Sequence, residues 1–417
     1  MTMSHGHTLL HRMAATVFMA LSMPFHIHAQ GGDSLTASAL KKLDVPFFDG
    51  NEAVLLPTGR MLFDDMLGIV EKAERYVHME FYNFRNDSIG NATFDLLKKK
   101  ASQGVEVKVL FDGFGNFTSS LPFTKEEQAD LRKHGVRIYE FDPYRFPYIN
   151  HSYHRDHRKI VTVDGHTAYT GGMNVGDYYI HGRPSIGKWR DMHMRIHGPA
   201  VAEFERLFSE MWEKVTGEET DSTRYAGPNT SRGNVRMGVV NRKPGRRSGI
   251  MRKAYAAAID NAQHSIQIVN AYPTLTRTVR RSLYRALKRG VQVDFMVSAN
   301  SDEALTPSIV AIEMKKLMKR GANVYYFEGG FHHSKVMTVD GSYCTVGSAN
   351  LDARSLMFDY EANAFMFDPV VTNQLYDIFE FDKRAFCTRL TPEDFKNRFP
   401  LSQRLQGRML FFLKPFL

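Results

Sequence analysis

Along much of the chain, polar stretches with helical spacing end in glycine and give way to short apolar runs. Leu131–Asp142 reads LRKHGVRIYEFD, and Leu317–Glu328 reads LMKRGANVYYFE. In each, the glycine is a helix stop, and the β-branched and aromatic residues after it predict a buried strand. Gly104–Asp112 (GVEVKVLFD) and Gly290–Ser298 (GVQVDFMVS) repeat the stop and the strand. Both pairs are 186 residues apart, and a weaker pair, Ala73–Phe84 and Ala262–Pro273, accompanies them. That spacing is far longer than a solenoid period. The pattern therefore predicts two similar α/β halves rather than a repeat array.

The polar, turn-rich segment 216–234 reads as a linker. It separates a first half at 46–215 from a second at 235–390, which opens on a strand at Val235–Asn241. Residues 391–417 form a tail whose end, RMLFFLKPFL, is apolar with two basic residues. Such a segment docks on the core, the commoner fate, or dips into a bilayer surface. At the other end, a weakly basic start, the apolar run Met13–Phe25 and small residues before Gln30 predict a secretory signal peptide over 1–29. The run is shorter than the roughly 20 residues a membrane-spanning helix needs.

With 417 residues, 43% hydrophobic and 24% charged, the chain has the length and composition of a folded protein with a sizeable core. The net charge of +9 favours anionic partners: nucleic acid, phosphate esters or acidic lipid surfaces. Two cysteines, Cys344 and Cys387, exclude a disulfide framework and a cysteine-rich metal site.

The chemistry lies in a second duplication. His157–Asn174 reads HRKIVTVDGHTAYTGGMN, and His333–Asn350 reads HSKVMTVDGSYCTVGSAN. A lone H-x-K carries almost no information, whereas H-x-K-x4-D-x6-G-[GS]-x-N found twice in a duplicated chain is specific. The motifs are 176 residues apart, so the first half carries ten extra residues just before its copy, within Pro143–Asp156. This aromatic, histidine-rich stretch is either a substrate-shaping loop or a solvated one.

In an alternating strand, the His and Lys of each copy share a face. Two related halves packed about a pseudo-twofold axis would bring both pairs into one pocket suited to a tetrahedral phosphate. One imidazole attacks phosphorus, and the other protonates the leaving alkoxide and then deprotonates the incoming alcohol. Lys159, Lys335, Asn174 and Asn350, with Gly172 and Ser348 beside them, are candidates to hold the phosphate oxygens. No metal and no cofactor is required. Asp164 and Asp340 lie seven residues past each histidine, on the opposite pleat, where they are expected to anchor the turns at Gly165 and Gly341. Carboxylates that orient the imidazoles are expected further downstream.

This double motif resembles the signature of the phospholipase D superfamily, over nearly all of the chain from about residue 46. The resemblance implies an α/β fold of two similar sandwich halves, each a mixed β-sheet flanked by helices, packed pseudo-twofold around one active site. It also implies a covalent phosphohistidine and counts His157, Lys159, Asp164, His333, Lys335 and Asp340 among the catalytic residues. Glu361 fits the orienting carboxylate in the second half, and Asp191 is the candidate in the first. The segments Val77–Gly90, His157–Tyr179, Trp189–Val201 and Gly347–Phe365 are similar to bacterial cardiolipin synthases, as is the tail. Departures fall at Asp359, where Asn is usual, and across Asn270–Val279.

The reaction implied is transphosphatidylation: one phosphatidylglycerol gives its phosphatidyl group to His157, and a second accepts it with His333 as acid and then base; the two motifs are near-symmetric, and the reverse assignment is the alternative. The implied partners are anionic phospholipids and a membrane surface, with no nucleic acid. Cleavage of the signal would place the chain on the outer, periplasmic face of the cell membrane; the alternative is the cytoplasmic face. A lipid hydrolase using water, a nuclease and a non-catalytic lipid-binding protein are the competing readings. Phe114, Phe117, Tyr144, Phe146 and Tyr148 would contact acyl chains or pack locally, and Trp189 and Trp212 are expected to be structural anchors.

Overall fold

The computed structural model describes residues 31–227, 230–245 and 249–416, and the expected signal peptide lies outside them. The first half supplies β1 (Phe47–Leu56), β2 (Tyr76–Phe81), β3 (Glu106–Asp112), β4 (Arg137–Phe141), β5 (Lys159–Val163), β6 (Thr167–Gly171), β7 (Trp189–Arg190) and β8 (His193–His197). The second supplies β9 (Val235–Arg242), β10 (Ser265–Val269), β11 (Gln292–Ser298), β12 (Asn323–Phe327), β13 (Phe331–His332), β14 (Val336–Val339), β15 (Tyr343–Gly347), β16 (Glu361–Phe367) and β17 (Cys387–Leu390). The glycine stops behave as the sequence pattern requires. Gly104, Gly135, Gly290 and Gly321 take φ of 87°, 87°, 87° and 97°, the left-handed region that ends a helix at no steric cost.

Outward from the centre, the first half runs β1-β8-β6-β5-β2-β3-β4 and the second runs β9-β16-β15-β14-β10-β11-β12, with β17 added at its edge. The order is the same in both directions, as a duplication about a twofold axis demands. Each half is mixed: β2, β3 and β4 are parallel, as are β10, β11 and β12, while the motif hairpins β5–β6 and β14–β15 are antiparallel. The two sheets are not separate, however. β1 pairs antiparallel with β9, joining them into one sheet of fifteen strands. Each half would otherwise leave a row of unpaired backbone groups at that edge, and the partner half satisfies them.

The core crosses the same boundary. Ile160 and Val161 point to opposite faces of β5. Val161 joins the first-half core, whereas Ile160 joins a cluster containing Met194 and Phe204 of the first half and Met237, Val346 and Leu375 of the second. The segment expected to be a plain linker is also anchored, because Tyr225 is buried and its hydroxyl accepts from Lys108 Nζ at 2.7 Å.

The motif aspartates are structural, which corrects their inclusion among the catalytic residues. Asp164 and Gly165 make a turn with φ of 53° and 74°, closed by His166 N–H donating to the Val163 carbonyl at 3.1 Å. The Asp164 carboxylate accepts the backbone N–H groups of Glu74, Arg75 and Tyr76, each at 2.8 Å. Asp340 does the same for Gln263, His264 and Ser265 at 2.7–2.8 Å. Each aspartate thus ties its hairpin to the start of the neighbouring strand, at the end of β5 or β14 remote from the histidine. Asp164→Ala is expected to cost about 2–3 kcal/mol of stability, as charge-assisted hydrogen bonds are lost. Activity per folded molecule should stay unchanged; denaturant titration beside a lipid turnover assay checks both.

Candidate active site

His157 lies just before β5 and His333 just before β14, one step outside the strands expected to carry them. What holds them is the opposite half. His157 N–H donates to the Tyr360 carbonyl at 3.1 Å, and Tyr360 N–H to the Arg155 carbonyl at 2.8 Å. On the other side, β7 pairs in parallel with β13, and His333 N–H donates to the Arg190 carbonyl at 2.7 Å. Each motif histidine is therefore stitched to the segment that carries an orienting carboxylate of the other half.

The carboxylates are accordingly exchanged. His157 Nδ1 lies 2.9 Å from Glu361 Oε1, and His333 Nδ1 lies 2.7 Å from Asp191 Oδ2. A carboxylate accepting from Nδ1–H fixes the tautomer and leaves Nε2 with its lone pair free, as a nucleophile or base requires. Glu361 and Asp191 are both fully buried. Burial alone would raise their carboxyls, but His157 and Lys159 hold Glu361 below its ordinary range, and Lys335 and His333 bring Asp191 to about 2. Both stay ionised.

The lysines sit where the motif places them. Lys159 Nζ donates to the His157 carbonyl at 2.6 Å, and Lys335 Nζ donates to the His333 carbonyl and lies 2.8 Å from its Nδ1. Burial lowers Lys159 to about 7 and Lys335 to about 8. It also lowers His157 to about 4, so that imidazole rests neutral, and lowers His333 from its usual value against the pull of Asp191. These signs give a pH prediction. Activity should hold where both lysines are charged and His157 is not, then fall as pH rises past about 7, where Lys159 loses its proton, and further past about 8 with Lys335. Bound phosphate favours the ammonium form, so the alkaline limb of kcat should lie above that of kcat/KM. Coincident limbs would contradict this electrostatic picture.

Both histidines open on one cavity of about 540 Å³, lined from both halves. Asn174 and Asn350 line it, and their amide oxygens are buried without a protein partner. Gly172 and Ser348, expected beside the phosphate, are not among the cavity-lining residues and lie against the orienting carboxylates. A Cβ at Gly172 would come within 2.3 Å of Asp191 Oδ1, so glycine there gives the carboxylate its room. Ser348 occupies the same motif position and donates its hydroxyl to Glu361 Oε2. Both residues serve the orienting carboxylates.

Other lining residues escaped the sequence reading. Tyr82 packs edge-on to His157 with centroids 5.1 Å apart, and Tyr272 packs edge-on to His333 at 6.0 Å. Trp189, expected to be only an anchor, lines the cavity with its ring 5.7 Å from His333. Trp212 remains in the core, stacked on Phe208. Arg85, Arg183 and Arg354 add positive charge to the cavity wall. Asp359, the departure from Asn, accepts from Arg354 Nε at 2.8 Å and from Arg155 N–H at 2.9 Å. It therefore positions a cavity arginine and clamps the loop of the other half. No described residue of 143–156 lines the cavity, although Tyr144 packs at 5.0 Å on Phe114, which does.

The family model described as cardiolipin synthase, PLD-like domain, matches residues 66–212 and 255–383, once in each half. The Bacillus subtilis protein called probable cardiolipin synthase YwiE is 35% identical over 346 residues, spanning 82% of this chain and 68% of its own. The major cardiolipin synthase ClsA of the same organism is 32% identical over 377 residues, 89% of this chain and 76% of its own. Among solved structures, a phosphatidylserine synthase from Haemophilus influenzae superposes with a TM-score of 0.71 at 14% identity, covering 92% of this chain and all of that one. A polyphosphate kinase from Porphyromonas gingivalis shares the fold with a TM-score of 0.57 at 14% identity, covering 88% of this chain and 54% of that one. A duplicated motif folded into one cavity, matched by the family model in both halves and by relatives along most of their length, makes this chain an enzyme of the phospholipase D-like cardiolipin synthase family.

Proposed function

We propose that the chain joins two phosphatidylglycerol molecules into cardiolipin and glycerol, through a covalent intermediate on His157. His157 Nε2 attacks the phosphorus of the first lipid, the P–O bond to its terminal glycerol breaks, and His333, present as the imidazolium beside ionised Asp191, gives that alkoxide its Nε2 proton. His333 then takes the proton from a glycerol hydroxyl of the second lipid. The new alkoxide attacks phosphorus, the P–N bond breaks, and cardiolipin leaves. Lys159, Lys335, Asn174 and Asn350 hold the non-bridging oxygens as charge moves onto them. Ionised Asp191 stabilises His333 as the imidazolium, the form in which it meets the leaving alkoxide and to which it returns on taking the acceptor's proton; between the steps His333 is neutral.

The observation that carries this reading is the convergence of both motif histidines, each with its lysine beside it and each steered by the other half, on one cavity. The substrates are membrane lipids, so the chain works at a membrane surface; no described helix is long and apolar enough to cross a membrane. Lipid mass spectrometry of purified protein with phosphatidylglycerol vesicles tests the reaction. Cardiolipin with free glycerol is the expected product. Phosphatidic acid without cardiolipin would make the chain a hydrolase.

A further inference from the structure

Among the exposed apolar side chains, two groups flank the short helix that contributes Arg354 to the cavity wall. The first is aromatic: Phe117, Phe146 and Tyr148 are 62%, 82% and 50% exposed, and Leu121 is 42% exposed. Their rings form a connected set through Tyr144, 4.7 Å from Phe117 and 5.0 Å from both Tyr148 and the cavity-lining Phe114. The second is on the tail. The helix Leu401–Leu410 and the turn after it expose Leu401, Leu405, Met409 and Phe412 at 62%, 46%, 69% and 72%. Spacings of four, four and three residues put these side chains on one stripe.

The tail's opposite side is docked. Gly407 lies against the Ser308 carbonyl, Ser308 donates to Gln406 Oε1 at 2.8 Å, and Lys414 pairs with buried Glu313. The stripe is therefore the face left over after docking. Its surroundings are basic: residues 395–417 contain five Lys or Arg and no Asp or Glu. Lys319, Arg408, Arg404 and Lys396 all lie close enough to Lys315 to help lower it.

One short helix, Ala353–Met357, links the two patches. It packs against the turn Phe411–Phe416. On its other side, Arg354 stacks 5.3 Å from the Phe114 ring and donates to the Ser152 carbonyl at 3.1 Å. Arg354 also lines the cavity. We propose that both patches insert into one anionic bilayer surface, seating the cavity mouth on the lipid headgroups. Apolar residues exposed beside a cationic cluster fit that partner, because insertion buries the rings while the charges meet acidic headgroups. The proposal rests on the lipid reading above and adds the surface through which substrate arrives.

The test uses the full chain with mixed phosphatidylglycerol–phosphatidylcholine vesicles and follows two readouts: sedimentation, and peroxide oxidation of Met409. Vesicles should slow Met409 oxidation severalfold, and the double variant Phe146→Glu, Phe412→Glu should reduce the bound fraction about tenfold. The variant should still turn over short-chain phosphatidylglycerol dispersed as monomers at the normal rate. Met409 oxidised equally fast with and without vesicles would overturn the proposal, whatever the bound fraction. Conversion of a dimer to a monomer by the variant would overturn it too, by making the stripe a contact between copies. Protection of Met409 without turnover of either lipid form would uphold the docking surface and overturn the reaction instead.

Discussion

Replacing His157 with alanine should lower cardiolipin formation by roughly 10⁴-fold or more and remove the covalent adduct altogether. The expectation follows from geometry rather than from the motif alone. His157 Nδ1 is held 2.9 Å from Glu361, so only Nε2 is free to attack. His333→Ala should be similarly slow in turnover for a different reason. It removes the group that protonates the departing glycerol and deprotonates the acceptor, so the adduct on His157 should accumulate slowly but remain detectable. Acid-quenched intact-protein mass spectrometry of the two variants distinguishes these roles. An adduct in His157→Ala and none in His333→Ala would reverse the assignment.

Glu361→Gln should lower kcat by about 10²-fold with little change in KM, the scale at which an orienting partner acts. Glutamine fills nearly the same space, its Oε1 can still accept from His157, and its Nε2 can donate to the Ser348 hydroxyl, so folding should survive. What disappears is the negative charge that raises the His157 value against burial and Lys159. The sign is definite: without Glu361, His157 loses its proton at still lower pH, and the acid limb of kcat/KM moves down. A purely structural role would leave that limb in place. Because Glu361 belongs to the second half and His157 to the first, the same variant reports on how the halves depend on each other.

Much of this site was legible in the sequence because its chemistry is carried by two copies of one motif. The motif spacing singles out His157, Lys159, His333 and Lys335, and the fold brings the two histidines of the two halves to one cavity, each one step outside the strand expected to carry it. The glycine stops gave the helices and the parallel strands for a local reason, since left-handed φ is cheap only there. The exchange of carboxylates was not legible. Strand alternation says which face a side chain takes, but Asp191 reaches His333 through the β7–β13 pairing, a contact between segments 142 residues apart.

The motif's small positions show the same limit. Gly172 and Ser348 look like phosphate-cradle residues, yet their neighbours in space are Asp191 and Glu361. Trp189 read as an anchor because a lone tryptophan usually is one, and only its packing on His333 makes it part of the cavity. The single fifteen-stranded sheet depends on β1 meeting β9, whose pairing no local pattern encodes.

The central claim is that two motif copies build one transfer site, and the most direct measurement counts adducts. Chain mixed with phosphatidylglycerol should be acid-quenched in the first turnover, and the bound phosphatidyl groups counted by intact mass and located by peptide mapping. The account predicts at most one group per chain, on His157. Two groups per chain, one on each histidine, would mean that the halves work as separate sites and would contradict it.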